Sequence, residues 1–376
     1  MRPKPRANAK DQQNVEEQQP QHVIKEEKPI SDKYQVKYNS KTQLRLDEKE
    51  SFVLGVPGTK IYSVKWDAED KYIACACENG TVRIFNVRKR QLSYLINSLV
   101  PNIPFSYVKW RPQAQQFKTR NIFVTGNTKG EVQHWHMTSG KCLGTMKEDN
   151  SDIYCIDYNQ DATKLAVCGL NPIIRIHDEE KRVVDVRLGV EQTQPPGHNN
   201  RVYCVKFHPQ NPNMLISGGW DYRVLIWDIR QKKPEANQIY GPLICGDGID
   251  MRESFDGQQL LTASWSQEKQ LQTWDLRTCK LICNFDWNSQ IKVSNQPCQL
   301  YSGQFSRQFD NQLTLAGGSG ENEVRIFDSQ DFDNAQICIH DLCREVNTVD
   351  WAHKDSRFAF SGGDGYLRIF EIQQIN

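Results

Sequence analysis

The chain has 376 residues, enough for one large core or two to three ordinary domains. Its net charge of +1 supplies no global field for nucleic acid or a membrane surface, and no apolar run approaches the ~20 residues of a membrane span. Hydrophobic content is modest at 38%, yet 10% aromatic residues argue against disorder over most of the length.

The N-terminus, MRPKPRANAKDQQ, lacks the apolar segment of a signal peptide. Twelve cysteines without such a signal read as reduced thiols, which points to the cytoplasm. Residues 1–33 hold four prolines, five glutamines and no aromatic residue, too little apolar surface to offset chain entropy. Arg2, Lys4, Arg6 and Lys10 give this arm a basic tip. A solvated terminus is the plain reading, and an arm for an acidic partner surface is the sharper one.

From Ile61 one pattern recurs seven times. Its clearest copy is GHNNRVYCVKFHPQNPNMLISGGWDYRVLIWD at 197–228. RVYCVKF alternates, with Val202, Cys204 and Lys206 on one side and Tyr203, Val205 and Phe207 on the other, which is a strand period. HPQNPN is a turn, because its two prolines forbid ladder donors. MLISGG is a second strand, Trp220-Asp221-Tyr222 a turn, and RVLIWDI a third strand. Three short strands joined by tight turns make one antiparallel meander. An aromatic position in the third strand falls at Phe85, Trp135, His177, Trp227, Trp274, Phe327 and Phe370, with gaps of 50, 42, 50, 47, 53 and 43. Strict alternation and β-branched content exclude helical repeats of this period. A fourth strand follows six copies, from QLSYLIN to AQICIHD, whereas only QQIN remains after Ile372.

The 197–228 copy resembles the WD-repeat unit. The residues that carry the resemblance are Gly197-His198, Ser217, Asp221 and Trp227-Asp228. It implies an all-β fold, a single seven-bladed β-propeller of four-stranded antiparallel blades. It also implies a buried hydrogen-bonded chain through His198, Ser217, Asp221 and Trp227. The chemistry is sound, since a buried Asp must be paired and a His can bridge it to a hydroxyl. A catalytic Ser-His-Asp triad fits poorly, because no nucleophile turn surrounds Ser217. Residues 50–56, ESFVLGV, are a spare strand upstream of the first copy. An open ring would leave a raw edge, so this strand is predicted to complete the last blade. The domain reading is a flexible polar arm at 1–49 and a propeller at 50–376. Departures from the family pattern are frequent. Asn79, Lys129 and Asn171 stand at the buried-Asp position, and Trp-Asp survives only at 227–228 and 274–275. Most polar networks should therefore be incomplete, with apolar packing supplying stability.

No catalytic, cofactor-binding or metal-binding set stands out. His134 and His136 share a strand face, as do Cys75 and Cys77, but neither pair gains the further ligands a zinc site needs. GGSGENE at 317–323 lies between strands and lacks the Lys-Ser/Thr of a phosphate loop, so it reads as a hairpin turn. The ring lacks a basic stripe for nucleic acid.

In WD-repeat proteins, partners often contact the start of the innermost strand and the turn after the second strand, on the narrow face. Carried onto this sequence, those positions include Lys60, Tyr62, Tyr154, Arg201, Tyr203 and Tyr301, with turn residues Trp220 and Trp265 in adjacent blades. Tyr, Trp and Arg dominate binding hot spots. The bland alternative is that these rings cover the channel mouth. The reading of function is a non-enzymatic scaffold for proteins or peptides, bound on the narrow face and blade edges, within a large intracellular assembly. Alternatives are a peptide reader at the channel mouth, a cytoskeletal or ciliary component, and a hydrolase drawing on Asp152, Asp247 and Glu345.

Overall fold

A computed structural model describes residues 34–112, 121–147, 151–189, 196–231, 233–252, 257–287, 297–309 and 312–374. The expected arm over 1–33 and most of the polar insert at 111–120 lie outside these residues.

The described residues form seven antiparallel sheets and no helix. Each sheet is one blade with its strands in sequence order from the channel outward. The inner strands are Ile61–Trp66, Phe105–Trp110, Ile153–Tyr158, Val202–Phe207, Ile249–Met251, Gln299–Phe305 and Val346–Trp351. Outer strands for blades 1 to 6 lie where the sequence places them, from Gln91–Asn97 to Asp331–His340. Of the GGSGENE segment, Gly317–Ser319 end the strand Leu313–Ser319 and Gly320–Glu323 form the turn to Val324–Asp328.

Three N-terminal strands complete the wheel. β3 (Phe52–Gly55) pairs with the third strand of blade 7, Phe52 opposite Ile369 and Gly55 opposite Tyr366, and so closes the ring. β2 (Leu44–Leu46) continues along the same strand, Leu44 opposite Gln374. β1 (Gln35–Tyr38) adds a fifth strand to blade 6, Gln35 opposite His340. The flexible arm expected over 1–49 is thus corrected for residues 34–49. The physical reason is apolar burial: Leu44 and Leu46 are buried with Phe360, Phe370 and Ile372, and Tyr34 meets Phe370 edge-on at 5.5 Å.

Strict alternation in the inner strands is also corrected. In six blades the register slips near the start of the strand, at its second residue in five of them and its third in blade 6, as between Val202 and Cys204. One extra residue stands outside the ladder there, which is a β-bulge. The bulged residues are Tyr62, Ser106, Tyr154, Tyr203, Tyr301 and Asn347. The bulge frees Tyr203 from the face that Val205 and Phe207 share. Gly219 backs this bend closely: a Cβ there would collide with the Arg201 carbonyl oxygen.

Blade 4 contains the full polar chain. His198 Nδ1 lies 2.9 Å from Asp221 Oδ2, and its Nε2 lies 2.7 Å from Ser217 Oγ. The Trp227 indole donates to Ser217 Oγ at 2.7 Å. Blades 2 and 5 keep only the indole-to-hydroxyl bond, Trp135 to Thr125 at 3.0 Å and Trp274 to Thr262 at 2.9 Å. Blade 7 replaces it with stacked Phe360 and Phe370, 5.7 Å apart. All twelve cysteines are free thiols.

The blades are stapled to one another at one recurring position. The next-to-last residue of an inner strand accepts the backbone N–H of the last inner-strand residue in the next blade. Asp157 takes Phe207 N–H at 2.8 Å, and Asp250 takes Phe305 N–H at 2.9 Å. Gln304 takes Trp351 N–H at 2.7 Å, and Asp350 takes Trp66 N–H at 2.7 Å across the ring seam. In blades 1, 2 and 4 that position is Lys65, Lys109 and Lys206.

Asp247 collects two of these lysines inside the channel. Its carboxylate lies 2.6 Å from Lys65 Nζ and 2.8 Å from Lys206 Nζ, and accepts Tyr107 O–H at 3.1 Å. Burial alone would raise the Asp247 pKa, but the ammonium groups of Lys206 and Lys65 outweigh it and hold the carboxyl well below its usual range. Burial pulls Lys65 and Lys206 down, yet Asp247 prevails and raises both. Cys155, Cys204 and Asp247 offer ligand-type atoms within 4.8 Å of one another. Two ammonium groups already sit on that carboxylate, so the charge there is set against a cation.

Asp350→Ala should lower stability by about 2–4 kcal/mol, because it strands the buried Trp66 N–H and one partner of Lys65; denaturant melts against Lys354→Ala, a rim change with little effect, measure this. Asp247→Asn should lower the melting temperature by a constant amount between about pH 5 and 9. A depressed folded-state carboxylate stabilises above its unfolded value of about 3.9 and loses that stabilisation as pH falls through the folded value. The gap between the two proteins should therefore shrink below about pH 4, as melts across pH will show.

Candidate partner-binding surface

The inner strands all begin on one face, here called the front, which is the narrow face of the sequence reading. The bulge near the start of an inner strand aims side chains onto it. In blades 3 to 5 the bulged Tyr154 and Tyr203 meet the turn residues Trp220 and Trp265 as a row. Tyr154 and Tyr203 stack with centroids 4.6 Å apart and planes at 7°. Tyr203 meets Trp220 at 5.8 Å, and Trp220 meets Trp265 at 5.4 Å. Four rings thus run continuously from blade 3 to blade 5.

Both indoles are held by local backbone. Trp220 N–H donates to the Arg201 carbonyl at 2.9 Å, and Trp265 N–H to the Leu243 carbonyl at 2.8 Å. The first fixes its turn against the start of the blade 4 inner strand, and the second fixes its turn against the segment that leads into Ile249–Met251. All four rings are half-buried. Burial pushes the Tyr154 hydroxyl up to about 12, with Tyr203 and Asp152 adding to it. Burial also raises Tyr203, and Arg201 opposes that rise. Arg201 is exposed and bonded to Tyr203, which raises the guanidinium further. Both phenols stay neutral donors at physiological pH. The Trp265 indole nitrogen is buried without a hydrogen-bond partner among the described residues.

The remaining expected contacts lie apart from this row. Lys60 faces Glu345 at 3.9 Å, and the Tyr62 hydroxyl donates to Glu78 at 3.4 Å. Tyr301 is half-buried on blade 6, where its charge influence reaches Tyr203. Among the acids considered for hydrolysis, Asp247 is turned into the channel and locked by two lysines, so it cannot serve as a general acid. His134 and His136 do not converge. His134 bonds buried Glu179 at 3.1 Å, and His136 bonds Ser139 at 2.8 Å.

Two exposed aromatics were missed by the sequence reading. Tyr222 is 56% exposed at a φ of 58°, and Tyr240 is 68% exposed at the end of the outer strand of blade 4. Tyr222 could have been found, since it follows Trp220 in the same turn. Tyr240 sits in a stretch whose strand signal is weak. The Lys or Asp at the next-to-last inner-strand position in six blades was also missed, although VKW, IDY and VDW show it plainly.

Comparison with known proteins agrees with this architecture. The model of the WD domain, G-beta repeat, matches residues 50–86, 140–178, 189–228 and 336–371. Human Coronin-2A is 26% identical over 117 residues, 31% of this chain and 22% of its own length. Protein SPA1-RELATED 4 of Arabidopsis thaliana is 21% identical over 356 residues, 89% of this chain and 41% of its own length. Human DDB1- and CUL4-associated factor 5 is 32% identical over 114 residues, 29% of this chain and 11% of its own length. The chain thus spans less than half the length of these relatives. The chain thus carries WD repeats, four of them matched, within a closed ring of seven blades.

Proposed function

We propose that the protein is a non-enzymatic interaction scaffold, and that the ring row Tyr154–Tyr203–Trp220–Trp265, flanked by Arg201, is a principal contact surface for a protein or peptide partner. The observation that carries this reading is the continuity of the four half-buried rings on one face. A rigid ring has lost its conformational freedom before binding, so contacts made by these side chains convert more fully into affinity. Rings of this kind offer large contact area at low entropy cost. The partnerless Trp265 indole supports the reading, since an unmet buried donor costs about 1–3 kcal/mol that a partner carbonyl can relieve.

Membership of a larger assembly is supported by names among the relatives. DDB1- and CUL4-associated factor 5 and yeast CCR4-associated factor 4 are each named for an association. The N-terminal arm, with its basic tip, is a second contact suited to an acidic partner surface. Placement in the cytoplasm, and in a cytoskeletal or ciliary lattice, belongs to the same proposal. No helix of the described residues is long and apolar enough to cross a membrane.

Affinity purification from the native cell followed by crosslink mapping identifies the partner and its footprint. Tyr203→Ala with Trp220→Ala should weaken that partner at least tenfold, about 1.4 kcal/mol, while the circular-dichroism melt stays cooperative. A footprint confined to the back face or blade edges, with unchanged affinity in the double variant, would refute the surface. Deleting residues 1–33 should reduce incorporation into the assembly and leave the ring's melting temperature unchanged.

A further inference from the structure

The front face is the apolar side of the wheel. Val56, Leu99, Val100, Leu170 and Tyr222 are exposed on its loops. Among the described residues, no exposed large apolar side chain stands on a turn of the opposite face. Blade 4 carries the ring row outward with the exposed Tyr222 and Tyr240. Gly241, next to Tyr240, donates its N–H to the Tyr222 carbonyl at 2.9 Å and holds the two together.

The backbone acceptors beneath the row are already engaged. The Arg201 carbonyl takes Trp220 N–H, and the Leu243 carbonyl takes Trp265 N–H. The Gly219 carbonyl takes Ile244 N–H at 3.1 Å, and the Asp152 carbonyl takes Leu170 N–H at 2.9 Å. What remains for a ligand is ring surface and donors. Arg201 bonds to the Tyr203 oxygen, which leaves the proton of that hydroxyl free to be given. Burial raises Tyr154 and Tyr203 alike, so both hydroxyls keep their protons at physiological pH. The Asp152 carboxylate stands at the Tyr154 end, where its charge acts on Tyr154 and on Arg201.

An ordinary extended peptide brings an N–H with each residue, and each loses water on such a surface without gaining an acceptor. Proline brings none. A proline-rich segment in the polyproline II form has no internal hydrogen bonds, so its carbonyls stay available beside apolar rings. That is the complement of a surface made of rings and donors. The spacing agrees. This helix advances about 3.1 Å per residue, roughly 9 Å per turn. Centroids along the row step by 4.6, 5.8 and 5.4 Å, so one turn spans about two steps.

We propose that the segment taken by the front row is a proline-rich stretch of a partner protein in the polyproline II form, lying across Tyr203 and Trp220 with its carbonyls accepting from the Tyr154 and Tyr203 hydroxyls. This rests on the row being a contact surface and names the chemistry of what it contacts. The N-terminal arm of this chain matches less well. Its prolines, Pro3, Pro5, Pro20 and Pro29, include no pair three residues apart, so no single turn carries two of them on one side.

Isothermal titration of the full chain with decaproline, with a glycine-serine decapeptide and with an alternating valine-threonine decapeptide tests this. Decaproline should bind saturably and at least about tenfold more tightly than either control. Tyr203→Ala with Trp220→Ala should weaken it at least about tenfold while the melt stays cooperative. Tyr154→Phe with Tyr203→Phe keeps the rings and removes the donors, and should weaken it roughly threefold or more. Lys354→Ala on the back face should leave it unchanged. Absence of decaproline binding at millimolar concentration overturns the proposal. So does binding that both double variants leave unaltered, or tighter binding of the valine-threonine peptide. Loss of the native partner in the alanine variant, with no decaproline binding, would sink the proline assignment alone and leave the contact surface standing.

Discussion

The wheel depends on one hydrogen bond repeated from blade to blade: a side-chain acceptor on one inner strand takes the backbone N–H of the next. Sheets packed face to face can slide, because apolar contact is non-directional. A buried N–H that must find its acceptor cannot slide without cost. Asp157, Asp250, Gln304 and Asp350 thus fix the register between neighbouring blades. The last of these spans the seam, where residues 284 apart in sequence are joined. β3 performs the same closure at a larger radius by completing the sheet of blade 7. The seam is therefore held on both sides, near the axis and within the blade.

The same position explains the charged channel. Where the next-to-last inner-strand residue is Lys, it offers no acceptor for the next blade, and the ammonium group must be satisfied otherwise. Asp247 does this for Lys65 and Lys206, and Asp157 does it for Lys109. The channel is thereby plugged by ion pairs rather than by apolar side chains. Such pairs are costly to desolvate and tolerable only when every member is partnered. The bulge near the start of six inner strands releases a side chain to the front, and the staples at the strand ends hold the acids of the opposite face.

The fold was largely legible in the sequence because its signals are local and repeated. Alternating runs, turn residues and the aromatic of the third strand mark every blade, and the spare strand at 50–56 was the available completion for the seventh. The bulges were not legible. RVYCVKF reads as perfect alternation, and the extra residue at Tyr203 appears only when its partner strand is seen. β1 and β2 were hidden for a related reason: QVKY and LRL are too short to show a period, and their burial is granted by blades 6 and 7. Of the surface, Trp220, Trp265, Tyr203 and Tyr154 were each named from position alone, but their contact is a property of neighbouring blades. Asp247 was placed at the mouth by the same alignment and instead turns inward, because two lysines from distant blades await it.

Native-state hydrogen exchange, read residue by residue, tests the stapled and closed ring most directly. The amides of residues 52–55 and of Phe207, Phe305, Trp351 and Trp66 should exchange only through global unfolding, in one cooperative class. Exchange of residues 52–55 and Trp66 within seconds, while the other three amides stay protected, would show a ring open at its seam and contradict the account.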